Sequence, residues 1–495
     1  MKRYILVLDE GTTSVKSLVY NRELELVGSV SKKIESVYPG PRLVEQDPEK
    51  IYSLVVDTCR EAVKNLEINP EDIACAAIAN QRNSFVFWDG ATQKPLHNVI
   101  TWQDTRGVDH LSDFVGSPLF NQYFPGLAPY IPSIYTPVVV SATKILCPEF
   151  AAALSRPGVK WGNIDSWLLY KLTDGQTHAT TLSTASNSTM LDQPTGAWNT
   201  YIAQFAGMRD DMFPEIREEN AGFGMMKEEI LGIPIPISCM MADQQAAMFS
   251  QGCFLPTVAK CTNGSGTFVN VNIGEEFKEY GNLTTTIAWK LDGKTSFMSE
   301  GGSYTAGSCL EWAQSQLELY GSVRQLDEDA SSVADSGGVY FVPALGGMAG
   351  PPYNDPTARA SFMGIGPSAN RKHFARAVLE SIAFAAAGAV KAFLELGIDI
   401  RKLSVSGGVS SSDIAVQLMS NILGMEIARP RSIEATGLGI AALAAVKLGW
   451  LDKGELQGCM QIDKVFAPDG RGERDLKRFI EWKKAVDRSL KWLEA

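Results

Sequence analysis

The chain of 495 residues carries 45 Lys and Arg against 56 Asp and Glu, a formal net charge of −11, with 45% hydrophobic and 20% charged residues. It is too apolar for a disordered chain, and its length calls for about two to four domains with sizeable cores. An acidic surface repels polyanions, which excludes nonspecific nucleic-acid binding but leaves room for a local nucleotide pocket.

The opening MKRYILVLDEGTTS runs into Asp9 and Glu10 soon after its apolar stretch, so it reads as a buried strand and not a secretory signal. Tyr4–Leu8, Val15–Tyr20 and Leu24–Ser29 are short apolar runs separated by turn residues, a meander of strands. From Pro48 to Leu66 the spacing of Ile51, Leu54, Val55, Cys59, Ala62 and Val63 predicts a helix, with Asp47 as N-cap and Pro48 at its first position. Ile73–Ile78 is the next strand, ending in the polar cluster Asn80-Gln81-Arg82-Asn83-Ser84, and Gln244–Ser250 has a helical pattern.

The second half repeats this grammar. Val258–Thr262 and Phe268–Ile273 are strands joined by Asn263-Gly264-Ser265-Gly266-Thr267. Leu403–Val405 is a strand, Ser406-Gly407-Gly408 a turn and Asp413–Leu423 a helix. The pattern implies two α/β domains of similar plan, as a duplication would give, with a boundary near Asp243–Phe254. The Ala-rich stretch from Ile382 to Phe393 is shorter than the roughly 20 residues that span a bilayer, so no membrane insertion is expected. Eight scattered cysteines without a CxxC, and four isolated histidines, argue for buried thiols in a reduced, cytoplasmic setting and against zinc or a disulfide framework.

Asp9-Glu10-Gly11-Thr12-Thr13-Ser14 joins two strands, so it is not the strand-to-helix phosphate loop that ends in Gly-Lys-Ser/Thr. A Gly/Thr/Ser hairpin turn still offers backbone N–H groups and hydroxyls to phosphate, and Asp9 offers a carboxylate to hydrated magnesium. Read alone, the turn is a plain hairpin with an Asx-type hydrogen bond sooner than a phosphate site. The turn at 263–267 and the glycine pair at 407–408 add a second and third small-residue loop, in an order that suits a nucleotide phosphate chain gripped by two domains.

With these loops stand Glu45-Gln46-Asp47-Pro48, Asn80-Gln81-Arg82, Trp102-Gln103-Asp104-Thr105-Arg106, Asp165-Ser166-Trp167-Leu168, Ala242-Asp243-Gln244-Gln245, Asp355-Pro356-Thr357 and Gly437-Leu438-Gly439-Ile440-Ala441. Over nearly the whole chain this order resembles the FGGY family of carbohydrate kinases, and within it the glycerol kinases. The resemblance implies an α/β fold of two actin-like, ribonuclease H-like ATPase domains with a deep cleft between them. The expected divisions are 1–247 (substrate side, first phosphate turn, base) and 248–495 (nucleotide side).

The implied chemistry is transfer of phosphate from ATP to a hydroxyl of a small polyol or sugar. Glycerol, converted to glycerol 3-phosphate, is the expected substrate, and a tetritol, ketotetrose or ketopentose the alternative. A non-catalytic ATP-binding regulator is a third reading, opposed by Asp243. In the resemblance Asp243 matches the general base, and at a helix start it could also serve as N-cap. Arg82, Asn83, Trp102, Gln244 and Phe268 match polyol contacts. Gly11, Thr12, Thr13, Lys16, Gly264, Ser265, Gly307, Gly408 and Ser412 match the nucleotide side, and Asp9 the Mg2+-associated carboxylate. The relatives imply a homodimer or homotetramer.

Four positions depart from the glycerol kinase pattern: Asn83 replaces a glutamate, Lys16 an arginine, Val139 a tyrosine and Ser412 an asparagine. An amide at 83 accepts with one oxygen and adds a donor, which would suit a ketose carbonyl. Tyr135, four residues before Val139, is a nearby candidate to replace the missing ring.

Overall fold

The structure, a computed structural model, describes residues 2–118, 135–264, 266–281, 283–303, 305–348, 353, 355, 357–431, 434–458 and 461–493. The chain divides into two compact units. The first comprises Met1–Ser250 together with two returning segments, Thr286–Phe297 and Glu434–Cys459. The second comprises Gln251–Thr285, Met298–Ile433 and Met460–Ala495.

In the first unit a six-stranded sheet runs in the order Met225–Met226, Ile235–Ala242, Ile73–Asn80, Tyr4–Glu10, Ser14–Tyr20, Leu26–Lys33. Tyr4–Glu10 is antiparallel to Ser14–Tyr20 and parallel to Ile73–Asn80, which is in turn parallel to Ile235–Ala242. The central strands are buried along nearly their whole length, as the continuous apolar runs require. Only Leu26–Lys33, at the edge, alternates between exposed and half-buried positions. Asp47 caps the Pro48–Asn65 helix by accepting from the N–H groups of Glu49 and Lys50.

A second, five-stranded sheet (Ser36–Val37, Glu45–Gln46, Val99–Ile100, Phe85–Asp89, Val159–Asn163) carries its own aromatic core of Phe85, Phe87, Phe114, Phe150 and Trp161. Of the returning segments, Glu434–Cys459 brings the Ala435–Lys447 helix against the helix Asp243–Ser250. The approach is so close that a Cβ on Gly439 would lie 1.7 Å from the carbonyl oxygen of Ala246.

The second unit is built on a sheet whose inner strands repeat the first unit's plan. Val258–Asn263 is antiparallel to Thr267–Gly274 and parallel to Lys402–Ser406, which is parallel to Ile427–Pro430. The same strand–turn–strand followed by two parallel additions thus opens both units, as a duplication would leave it. The helix Arg371–Glu395, capped by Asn370, is 25 residues long and apolar enough by composition to cross a membrane. Some 89% of its most apolar window is buried in protein, so it is the core helix of this unit. Only the Ala-rich half of this helix stands out in the sequence, because the charged residues of Arg371–Glu380 break the apolar run. The seven described cysteines are free and all but Cys147 are buried; Cys459 lies outside the described residues.

Candidate active site

Parallel strands bring their C-terminal ends to one edge of a sheet, where ligands of open α/β folds bind. In the first unit Glu10 pairs with Asn80, and Asn80 with Ala242. The chain therefore delivers Asp9-Glu10, Gln81-Arg82-Asn83 and Asp243 from three adjacent strands to the same edge. Arg82 Nε stands 3.7 Å from Asp243 Oδ1, and Arg82 Nη1 donates to Asn187 Oδ1 at 3.1 Å. Asp243 begins its helix, and its Oδ1 accepts from the Gln244 N–H at 2.6 Å. The local turn contact and the approach to Arg82 coexist on this carboxylate.

Asn83 sits at φ 62° in the left-handed region, which asparagine tolerates better than most residues. Its Oδ1 is buried with no hydrogen-bond partner among the described residues, an acceptor in need of a donor. The indole of Trp102 donates from Nε1 to Thr12 Oγ1 at 2.8 Å, and Gln46 Nε2 donates to the Thr12 carbonyl at 2.8 Å. The expected substrate wall and the expected phosphate turn are thus fastened together. The turn itself closes with Gly11 N–H to Ser14 O at 3.0 Å and leaves Thr13 exposed.

Four acids, Lys16 and Arg82 set the charge of this edge. Lys16 lies opposite Asp9 in the hairpin and donates to both carboxylate oxygens of Glu434, at 2.9 and 2.7 Å. Burial pushes Asp9 up to about 7; Lys16 pulls it down, and Asp243 and Glu434 push it up further. Burial also pushes Glu10 up to about 8, against the hydrogen bonds it accepts from Gln81. No hydrogen bond reaches the Asp9 side chain among the described residues. A buried, unbonded carboxylate beside further acids fits a divalent cation that takes one or two carboxylates and keeps its waters. No cluster of three or more metal-ligating side chains occurs among the described residues, so such a cation would depend on water and phosphate for its remaining ligands.

In the second unit the glycine loops converge. The Gly307 N–H donates to Gly264 O at 2.8 Å, and a Cβ on Gly407, at φ 90°, would lie 2.3 Å from Asn263 O. Gly264 and Gly408, by contrast, have no atom within 4 Å of where a Cβ would be, a cradle open to a ligand. Ser412 precedes the Asp413–Leu423 helix without capping it, and its buried hydroxyl is unpartnered among the described residues. Phe268 is half-buried near the start of the Thr267–Gly274 strand. Ser265 lies outside the described residues.

The N-terminal domain of the FGGY family of carbohydrate kinases matches residues 4–250, and its C-terminal domain matches 259–448. The chain belongs to the FGGY family of carbohydrate kinases. Among curated relatives it is 35% identical to the glycerol kinase of Caldanaerobacter subterraneus over all of both chains. It is 34% identical to glycerol kinase 2 of Thermotoga maritima, covering 99% of each. Among solved structures, Plasmodium falciparum glycerol kinase with ADP aligns at a TM-score of 0.89 and 30% identity over 98% of both chains. A Lactobacillus acidophilus xylulose kinase, at TM-score 0.86 and 21% identity over 98% of both, shares the fold. This FGGY chain is accordingly an ATP-dependent kinase acting on a polyol or sugar.

In the first unit the structure joins Arg82 to Asp243 and Trp102 to Thr12, and sets Lys16 across from Asp9. Three participants went unread in the sequence. Glu434 is the partner of Lys16, Gln46 holds the phosphate turn and Asn187 holds Arg82. Gln46 sits inside a recognised motif. Glu434 lies three residues before the Gly437-Leu438-Gly439 motif, but nothing local tells that it returns to the hairpin more than 400 residues upstream.

Proposed function

We propose that the enzyme transfers the γ-phosphoryl group of ATP to a terminal hydroxyl of glycerol, with Asp243 as general base. The observation that carries this reading is the Arg82–Asp243 pair at the edge where three parallel strands end. A carboxylate beside a guanidinium can both orient a hydroxyl and accept its proton. As the hydroxyl oxygen bonds to the γ-phosphorus, its proton passes to Asp243 and the bond to the β–γ bridging oxygen breaks, releasing ADP. Phosphoryl transfer asks mainly for such alignment and for charge neutralisation.

The roles of the remaining residues follow from their chemistry. Arg82 donates to substrate hydroxyls, the unpartnered Asn83 Oδ1 accepts from one, and Trp102 walls the pocket with a ring fixed by Thr12. Gln244 and Phe268 complete the polyol contacts. The turn Gly11-Thr12-Thr13 with Lys16, and in the second unit Gly264, Ser265, Gly307, Gly408 and Ser412, hold the nucleotide. Asp9 would hold Mg2+ through water, and that ion when bound neutralises phosphate charge.

Assaying ADP formation over glycerol, a tetritol, a ketotetrose and xylulose tests the substrate. Glycerol should turn over at millimolar concentration with the highest kcat/KM. A ketose preferred by tenfold would overturn the glycerol assignment and favour the alternative that the Asn83 amide donor suggests. Asp243→Asn should lower kcat by about 10²–10⁴-fold, the usual worth of a general base. Unchanged turnover would remove the assigned role.

A further inference from the structure

Glu219 is fully buried, and both of its carboxylate oxygens are taken by backbone donors from distant segments. Oε1 accepts the Ser183 N–H at 2.8 Å, and Oε2 accepts the Lys290 N–H at 2.6 Å. Its own carbonyl accepts the Met240 N–H at 3.0 Å, three residues before the catalytic aspartate. One residue, through its side chain and its carbonyl, therefore ties the short helix Leu182–Ala185 and the returning segment Thr286–Phe297 to the strand that delivers Asp243.

From Ser183 two short routes lead to the reacting groups. The Ser183 hydroxyl accepts the Ala242 N–H at 3.2 Å, immediately before Asp243. The Ser183 carbonyl accepts Asn187 Nδ2 at 2.8 Å, and Asn187 Oδ1 accepts Arg82 Nη1 at 3.1 Å. Gln245 Nε2 bridges the Ser183 and Ile287 carbonyls, at 3.2 and 3.3 Å, so the returning segment and the Asp243 helix are joined a second time. Both Glu219 oxygens are engaged by backbone donors at 2.8 and 2.6 Å, so this one side chain fixes two distant segments at once.

We propose that Glu219 is a positioning residue, which sets the Arg82–Asp243 geometry by anchoring Ser183 and the Thr286–Phe297 segment. This rests on the assignment of Arg82 and Asp243 to substrate and proton. In Glu219→Gln one amide N–H must face a backbone N–H, so one of the two anchors is lost while side-chain volume is kept. The expected result is a kcat lower by about 10–100-fold, the scale set by angstrom-level misplacement of a catalytic group. The KM for ATP should stay within about twofold, because the nucleotide residues of the second unit are untouched.

A cycle with Asn187→Ala supplies the decisive readout. If both act on Arg82 and Asp243 through Ser183, the double variant should be clearly less impaired than the product of the single effects. Should Glu219→Gln not fold, Ser183→Ala keeps the backbone N–H for Glu219, removes the hydroxyl that accepts from Ala242 and pairs with Thr181 Oγ1, and should lower kcat several-fold. A folded Glu219→Gln enzyme with unchanged kcat, fully additive effects with Asn187→Ala, or a Ser183→Ala enzyme at full rate would each overturn the proposal. Asp243→Asn, run in parallel, separates the two claims: activity there refutes the base assignment, whereas an inactive Asp243→Asn beside a normal Glu219→Gln refutes only the anchor.

Discussion

Gly439→Ala is the substitution for which the structure gives the sharpest arithmetic. Ordinary helix statistics favour it, since alanine in a helix interior is better than glycine by about 1 kcal/mol. The new methyl, however, would lie 1.7 Å from Ala246 O, 2.6 Å from Ala246 C and 3.2 Å from Ser250 N, all backbone atoms that no rotamer change can move aside. A carbon and a carbonyl oxygen come no closer than about 3.3 Å, so the two helices must separate by roughly 1.6 Å. Overpacking costs about 1–3 kcal/mol and more when the obstacle is rigid, which outweighs the gain in propensity and leaves a net loss on the order of 2 kcal/mol. The helix that is displaced begins with Asp243, and an error of about 1 Å in a catalytic group can cost 100-fold in rate. Thermal unfolding and steady-state kinetics should therefore both register the change, with a lower Tm and a kcat reduced by about 10–100-fold. Gly388→Ala is the control: it lies in the helix Arg371–Glu395, and its methyl would meet only Phe479, at 3.6 Å. Its Tm should hold or rise. A Gly439→Ala enzyme with unchanged Tm and kcat would refute the close-packing argument.

Trp102→Phe keeps a ring but loses the 2.8 Å bond to Thr12, so kcat/KM should fall by about fivefold, the equivalent of one net hydrogen bond near 1 kcal/mol. A larger loss at unchanged Tm would show that the indole does more than hold the turn. Lys16→Met removes the cation that pulls Asp9 down, so the acidic limb of the rate profile should move to higher pH, and an unmoved limb would separate Lys16 from Asp9. Asp9, Glu10 and Glu219 all have folded-state values raised by burial, to about 7, 8 and 7. At intermediate pH the native state thus binds more protons at these groups than the unfolded chain. Their contribution to stability is full below about pH 4 and declines as pH rises through 7–8, so the Tm of the ligand-free protein should fall between pH 6 and pH 8.5. Added Mg-ATP should flatten that fall, and equal slopes with and without it would count against a cation at Asp9.

Much of the architecture was legible because strand–turn–strand units leave a local trace. The buried runs at Tyr4–Glu10 and Val258–Asn263 are continuous in the sequence, and Asp47-Pro48 announces a helix within two residues. What stayed hidden was non-local. Nothing in the composition of Thr286–Phe297 or Glu434–Cys459 shows that these segments rejoin the first unit, and Glu219 lies in an ordinary run of charged residues, Arg217-Glu218-Glu219. Its neighbour Glu218 reaches only the Gly293 N–H, at an exposed site, while Glu219 is fully enclosed, a distinction that a one-dimensional pattern does not carry. The candidate site divides the same way. Asp9, Arg82, Trp102 and Asp243 could be named from motifs, whereas Asn187, Glu434 and Glu219 are set by pairings across 105, 418 and 71 positions.

The return of Glu434–Cys459 also sets an order of events during synthesis. When residue 250 has emerged, the sheet around Tyr4–Glu10 still lacks the Ala435–Lys447 helix that packs on it and on the Asp243 helix. At about 5–20 residues per second, roughly 10–40 s pass before that helix exists. For this interval the nascent first unit has an open apolar face, and the second unit is threaded through the gap in its sequence. Expression of 1–250 alone would therefore yield an incomplete body, and the two returning segments make the kinase a single obligate chain at the level of folding, before any nucleotide or polyol is bound.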